Sequence, residues 1–161
     1  YPLLRAMEEN GKLRRGWFVD GLSGAQFSLP GAVDALRTPL DKDHPQLLSV
    51  VDPANPYGSL LPWPQVMGSG RPRRVPGSVV LTLGGEPVLL MRQGSLLTFT
   101  EDSALLRAGV RVLLSQAHQF YDKSVVIEQV NGEAATSSKL TPSLRLGGME
   151  MDGARLRLTL L

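Results

Sequence analysis

The sequence contains no cysteine, and its only two histidines, His44 and His118, stand far apart. Disulfides, thiolate metal sites and cysteine nucleophiles are therefore excluded, and no metal site is expected. No apolar run reaches the roughly 20 residues that a membrane-spanning helix needs. No signal peptide is recognisable either, so the expectation is a cytoplasmic protein with no membrane partner. The glycine pairs at 84–85 and 147–148 lack the following lysine of a phosphate-cradling loop, so no nucleotide cofactor is expected in this chain. A G-x-S-x-G nucleophile elbow is also missing. Charge is nearly balanced, with a net value of +2. That excludes a polyanion sponge but permits local basic patches.

What the chain does contain is ordinary for a folded protein: 161 residues, 42% hydrophobic and 20% charged. That length holds one domain with a real core or two small lobes. It begins at Tyr1, without an initiator methionine, directly in a helical pattern. A piece of a longer polypeptide is the expectation. Thirteen of its seventeen basic residues are arginine. The planar guanidinium fork suits phosphate better than an ammonium does. The bland alternative is a coding bias towards arginine.

Residues 1–11, YPLLRAMEENG, place Leu3, Leu4 and Met7 on one helical face, with Gly11 as a stop. RRGWFVD, GLSG and AQFSL then read as strand, loop and strand, and Pro30-Gly31 opens a short helix, AVDALR. Helix then hairpin is the order of the last helix and wing of a winged-helix unit, with Arg14 and Arg15 at the base of the wing. A plain αββ element is the alternative. TPLDKDHPQ (38–46) is turn-rich, and LLSVV (47–51) reads as a strand. DPANPYGSLLPWP (52–64) holds four of the twelve prolines. It cannot be a helix interior or a central strand, and reads as a rigid connector.

The remainder has a strong β signal. SVVLTL, Gly84-Gly85 and EPVLLM predict a hairpin, and SLLTFT a third strand. Three strands need a cover. DSALLRAGVRVLLSQAH supplies it, with Leu106, Val110, Leu113 and Ala117 on one stripe and Asp102 or Ser103 as N-cap. Gly109 weakens that helix by about 1 kcal/mol relative to alanine. SVVIEQV is another strand, ended by Asn131-Gly132. Ser137 or Ser138 would cap a short helix running to Gly147-Gly148, with Pro142 in its first turn. ARLRLTLL is a last strand after the Asp152-Gly153 turn. The fold class expected is α+β: a partial winged-helix unit (1–37), a proline-rich connector (38–64), and an antiparallel sheet or barrel-like domain (65–161) with one or two covering helices.

Chemistry-bearing residues are few. RPRR carries Arg71, Arg73 and Arg74 on a segment stiffened by Pro72 and Pro76. Guanidinium groups so placed are expected to hold a phosphate backbone. Trp17, Tyr57 and Trp63 would stack on unpaired bases. The structural alternatives are ion pairs for the arginines and a buried plug for Trp63. Asp102 beside Glu101 reads as a helix start, and Asp152 as a turn residue.

Taken in order, several stretches resemble one family. They are YPLLRAMEENGKLRRGWFVDGLSGAQFSLPGAVDALR, DPANPYGSLLPWP, GRPRRVPGSVVLTLGGEPVLLMRQGSLLTF and VVIEQVNGEAATSS. They resemble the C-terminal region of large helicase-related (Lhr) proteins, bacterial ATP-dependent DNA helicases of superfamily 2. The resemblance implies that residues 1–37 end a winged helix and that 46–161 form the β-rich domain after it. DPANPYGSLLPWP would be the crossover, packing Tyr57 and Trp63 at the seam. It places ATP, Mg and their hydrolysis in motor domains upstream, with no cofactor in this chain. The implied partners are DNA, single-stranded or as a tailed duplex, and the motor domains of the same polypeptide. The DNA-binding set would be Arg14, Arg15, Trp17, Tyr57, Arg71, Arg73 and Arg74. Some family members are linked to uracil excision in DNA repair, for which Asp152 is the weak catalytic candidate. Three functions follow: a DNA-binding accessory domain, a base-excision domain, or a scaffold that never touches DNA.

Overall fold

Residues 1–38 and 44–160 are described by the structure, a computed structural model. The TPLDKDHPQ turn expected at 38–46 falls mostly outside the described residues, as does the chain's last residue. The chain divides into two compact units, Tyr1–Asp41 and Lys42–Leu161.

The first unit holds helix α1 (Pro2–Glu9), strands β1 (Arg14–Gly16) and β2 (Gln26–Ser28), and helix α2 (Pro30–Arg37). α1 stops as its glycine requires. The Gly11 N–H donates to Glu8 O at 2.9 Å and the Lys12 N–H to Met7 O at 2.8 Å, with Gly11 at φ +70°. That paired closure satisfies the last carbonyls of the helix, and the left-handed φ is one that glycine adopts without penalty. β1 and β2 pair antiparallel as the predicted hairpin. Pro30 opens α2 at a position where its missing N–H costs nothing. No residue of α1 or α2 is buried.

The second unit continues with β3 (Pro45–Ser49), β4 (Val79–Leu83), β5 (Glu86–Arg92) and β6 (Gly94–Thr98). Then come α3 (Ser103–Gln116), β7 (Ser124–Val130), β8 (Glu133–Ala134), α4 (Thr141–Gly147), β9 (Glu150–Asp152) and β10 (Arg155–Thr159). The sheet runs β3-β4-β5-β6-β7-β10-β9, with β8 also on β7. Only the β6–β7 pair is parallel; α3 makes the crossover between them. The sheet is open, with β3 and β9 at its ends, so it does not close into a barrel.

Two apolar layers lie on the sheet. The larger gathers Leu81, Leu89, Met91 and Leu96 with Leu106, Val110, Leu113 and Ala117 of the α3 side and Leu144 of α4. The predicted α3 stripe is thus buried. Asp102 caps it, accepting from the Ala104 N–H at 2.7 Å and the Leu105 N–H at 3.0 Å, worth about 1 kcal/mol. Gly109 has a packing reason: a Cβ there would stand 2.8 Å from Leu89 and 3.1 Å from Leu81. The helix approaches the sheet more closely than alanine allows. The smaller layer gathers Val50, Val66, Val80, Leu90 and Leu97, with Trp63 and Phe99 packed against it.

Three expectations are corrected. The segment expected as a connector, 38–64, lies largely inside the second unit. Its residues 45–49 are strand β3, paired with β4, and Val50 is fully buried. The strand expected at 47–51 is shifted to Pro45–Ser49, because the chain must turn at Val50 to cover the sheet. Neither Ser137 nor Ser138 caps α4, whose N-cap is Leu140 without a side-chain bond. Ser138 Oγ instead accepts from the Leu140 N–H at 3.3 Å, ahead of the helix.

Candidate nucleic-acid interface

The proline-rich motif builds a platform on the second unit. Asp52 accepts from the Ala54 N–H at 2.8 Å. Asn55 is buried; its amide donates to Val50 O at 2.8 Å and its Oδ1 accepts from the Tyr57 N–H at 3.2 Å. Gly58, at φ +75°, leaves no room for a Cβ, which would collide with Trp63 Nε1. Tyr57, Trp63 and Phe99 form one stack, with successive ring centroids 5.8 Å apart. The Tyr57 hydroxyl donates to Gly85 O at 3.0 Å. Burial first, and the negative charge of Glu86 second, hold its phenol above the ordinary tyrosine range. The Tyr57 hydroxyl and one face of its ring are therefore engaged within the platform, which gives it a structural role. Trp63, with a ring on each side, is likewise the plug.

Arg74 locks the same platform. Its guanidinium donates to Asn55 O at 2.7 Å, Tyr57 O at 3.1 Å and Asp52 O at 3.3 Å. Those three carbonyls belong to the turns of DPANPY, and Asp52 O also accepts from the Asn55 N–H at 3.0 Å. Arg74 thus leaves the phosphate-facing set: its N–H groups are spent on the chain itself.

Arg71 and Arg73 behave differently. Both are exposed, and neither makes an ion pair among the described residues. The loop that carries them is anchored at Asn131, a buried side chain at φ +55°. Its amide donates to Met67 O at 3.1 Å and Thr98 Oγ1 at 2.8 Å, and its Oδ1 accepts from the Thr98 N–H at 2.7 Å. The Gly70 N–H donates to Asn131 O at 2.9 Å. Every polar atom of this hub has a partner, so the loop is held where a mobile arginine-rich segment would not be.

The anchored loop roofs a cleft of about 290 Å³, lined among others by Arg71, Arg73, Ser78, Arg92, Ser95 and Gln129. The sheet register brings the last three together: Arg92 pairs with Ser95, and Ser95 with Gln129. Among the described residues, no carboxylate lines it. Arg92, Ser78, Ser95 and Gln129 were not singled out from the sequence. Arg92 is the last residue of β5, and the fold brings it into the cleft beside the RPRR loop.

On the first unit, Arg15 and Trp17 share a shallow cleft of about 250 Å³ with Gln26. Trp17 is 83% exposed. Arg14 is exposed in β1 but does not line that cleft. The wing loop is tied by Gln26. Its Oε1 accepts from the N–H groups of Phe18 at 2.9 Å and Val19 at 2.8 Å, and its amide donates to the carbonyls of Val19 and Leu22, both at 2.9 Å. One glutamine thereby satisfies four backbone groups and holds the indole at the tip of the hairpin.

Asp152 stands elsewhere, on the β9 edge. Its carboxylate pairs with Arg157 at 2.5 Å and Arg155 at 3.6 Å. The Arg157 hydrogen bond and charge, then Arg155, hold its pKa below the ordinary aspartate value. It lines none of the clefts above. Two arginine partners thus give Asp152 an ion-pair role at the sheet edge.

Comparison with known proteins agrees with this architecture. Residues 1–47 match the family described as "Large helicase-related protein, winged-helix domain". A Mycolicibacterium smegmatis protein, "Lhr helicase/ probable uracil glycosylase", is 36% identical over 143 residues, covering 83% of this chain and 10% of that protein. An Escherichia coli protein, "Lhr helicase/uracil glycosylase", is 39% identical over 123 residues, covering 71% of this chain and 8% of that protein. The chain therefore spans about a tenth of the length of these relatives. With the helix–hairpin unit matched as a winged helix and most of the chain aligned to both proteins, the chain belongs to the large helicase-related (Lhr) family.

Proposed function

We propose that this chain is a DNA-binding accessory module of an ATP-dependent DNA helicase, holding the phosphate backbone of a single strand or tailed duplex near the motor. The observation that carries the reading is the cleft under the RPRR loop: arginines without acidic partners, on a loop fixed by a fully bonded asparagine. Guanidinium groups in that state meet phosphate without first breaking an ion pair. Arg15 and Trp17 at the wing supply a second contact, a charge and a free indole face for an unpaired base. Motor domains of the same polypeptide, with ATP and Mg, would complete the machine, and DNA repair in a bacterial cytoplasm is its expected setting.

The test is the salt dependence of binding. Replacing Arg71 and Arg73 by alanine should flatten the slope of log K against log salt by about 1.4 units on single strands, roughly 0.7 per phosphate released. An unchanged slope would take both residues off the DNA path.

A second reading comes from the relatives' names, each of which includes uracil glycosylase. Base excision needs a flipped base in a pocket with a chemically competent group. Incubating the chain with a uracil-containing strand, followed by alkaline cleavage, tests it; absence of cleavage would confine that activity to other parts of the polypeptide.

A further inference from the structure

We infer that the cleft under the RPRR loop is a pocket for the terminal phosphomonoester of a nucleic-acid strand, rather than a groove for internal phosphodiesters. The inference rests on the DNA-binding reading above and names which phosphate the second unit takes. Three features carry it. First, three arginines, Arg71, Arg73 and Arg92, line a cleft of about 290 Å³ with no carboxylate among its described lining residues. An internal phosphodiester carries one charge, whereas a phosphomonoester carries about 1.5–2 negative charges and three terminal oxygens. Each guanidinium offers five N–H donors. So many donors exceed what the two free oxygens of a diester can accept.

Second, the cleft contains a buried hydroxyl with nothing to bind. Ser78 is 1% exposed, lines the cleft, and its Oγ has no hydrogen-bond partner. A buried polar atom left unpaired costs about 1–3 kcal/mol, and such atoms are rare enough in native proteins to call for a reason. A phosphate oxygen in the cleft supplies the missing partner. Ser78 immediately precedes Val79, whose strand partner Met91 immediately precedes Arg92. The unpaired hydroxyl and the third arginine thus belong to one stretch of the ladder. A serine that needs only to turn about χ1 can present Oγ to a ligand beside that arginine.

Third, Val75, Leu90 and Leu97 complete the lining. An apolar wall beside a cationic end suits the sugar and base of a terminal nucleotide better than a continuous backbone, which is charged at every step.

The experiment uses the 161-residue chain and fluorescent single strands of one sequence, carrying a 5′-phosphate, a 3′-phosphate or hydroxyls at both ends. Inorganic phosphate serves as competitor. One of the two phosphorylated strands should bind about tenfold tighter than the hydroxyl strand, as one or two extra charge-assisted bonds give. Millimolar phosphate should erase that difference. Arg92→Gln and Ser78→Ala should each shrink the preference for the phosphorylated strand several-fold, with the thermal midpoint nearly unchanged. Equal affinity for all three strands overturns the inference. If that equal binding still weakens in Arg71→Ala/Arg73→Ala, the DNA-binding reading stands without it. If no strand binds, the DNA-binding reading fails. A preference that persists in both Arg92→Gln and Ser78→Ala places the end site outside this cleft and also overturns the inference.

Discussion

The two units of this chain are stabilised in opposite ways. In residues 1–41 no helical residue is buried, and Leu3, Leu29 and Leu36 are 73%, 68% and 62% exposed. Its order comes from local bonding: the paired closure at Gly11, the four bonds of Gln26, the proline at the start of α2. In residues 42–161 the sheet carries an apolar layer on each side, and Leu81, Leu89 and Leu96 of β4, β5 and β6 are fully buried. Local devices fix conformation, but apolar burial supplies most of the free energy. A chain of about 40 residues rarely holds itself on local bonding alone. The first unit's leucines at 3, 29 and 36 contribute little to a core of its own.

That contrast can be broken, and the largest effect tests it first. Leu89→Ala empties a fully buried site beneath Gly109 and should cost about 3 kcal/mol. Leu36→Ala in α2 should stay within about 0.5 kcal/mol. Urea unfolding of both variants checks the pair, and comparable losses would mean that the first unit has a core after all.

Arg74 sharpens the comparison within one short segment. Arg74→Ala removes the side-chain donor of Asn55 O and Tyr57 O and a second donor of Asp52 O, and should cost about 2 kcal/mol in the same assay. Arg71→Ala and Arg73→Ala should cost less than about 0.5 kcal/mol each and change only the salt slope. A stable Arg74→Ala protein with a flattened slope would return Arg74 to the phosphate-facing set.

Tyr121 gives a smaller effect with a pH signature. Its hydroxyl contacts Gly77 O at 2.8 Å and Met91 O at 3.1 Å, and burial pushes its pKa up from 10.0 to about 12. The folded phenol keeps its proton where the unfolded one loses it. This stabilisation is therefore complete below pH 10 and is lost as pH rises towards about 12. Tyr121→Phe should lower stability by about 1 kcal/mol at neutral pH and remove that alkaline decline. Unfolding series at pH 8 and at about pH 11 check both parts.

Smallest in stability is Trp17→Ala, expected within about 0.5 kcal/mol because the indole is 83% exposed. Its effect should fall on single-strand affinity, at about 1–3 kcal/mol per stacked base. Unchanged affinity would leave the wing without a role in binding.

Much of this was legible in advance because it depends on neighbours in sequence. The α3 stripe, the Gly84-Gly85 hairpin, the stop at Gly11 and the Asp102 cap each rest on a few consecutive residues and a fixed period. The family was legible in the same way, since its motifs are contiguous strings. The fates of the arginines were not. RPRR presents Arg71, Arg73 and Arg74 as equals, yet only the fold of DPANPYG decides that Arg74 meets three carbonyls while its neighbours face a cleft.

The amino-acid order alone determined the main helices, hairpins and turns, though not the bounds of β3, because backbone propensity and apolar periodicity act over short distances. Tertiary structure alone decided which charges remain available. Arg92, Ser95 and Gln129 become neighbours only through strand register, and Asp152 is neutralised only by arginines across a β-turn and along the next strand. Hydrogen bonds and ion pairs form between groups within a few ångströms, whatever their separation along the chain.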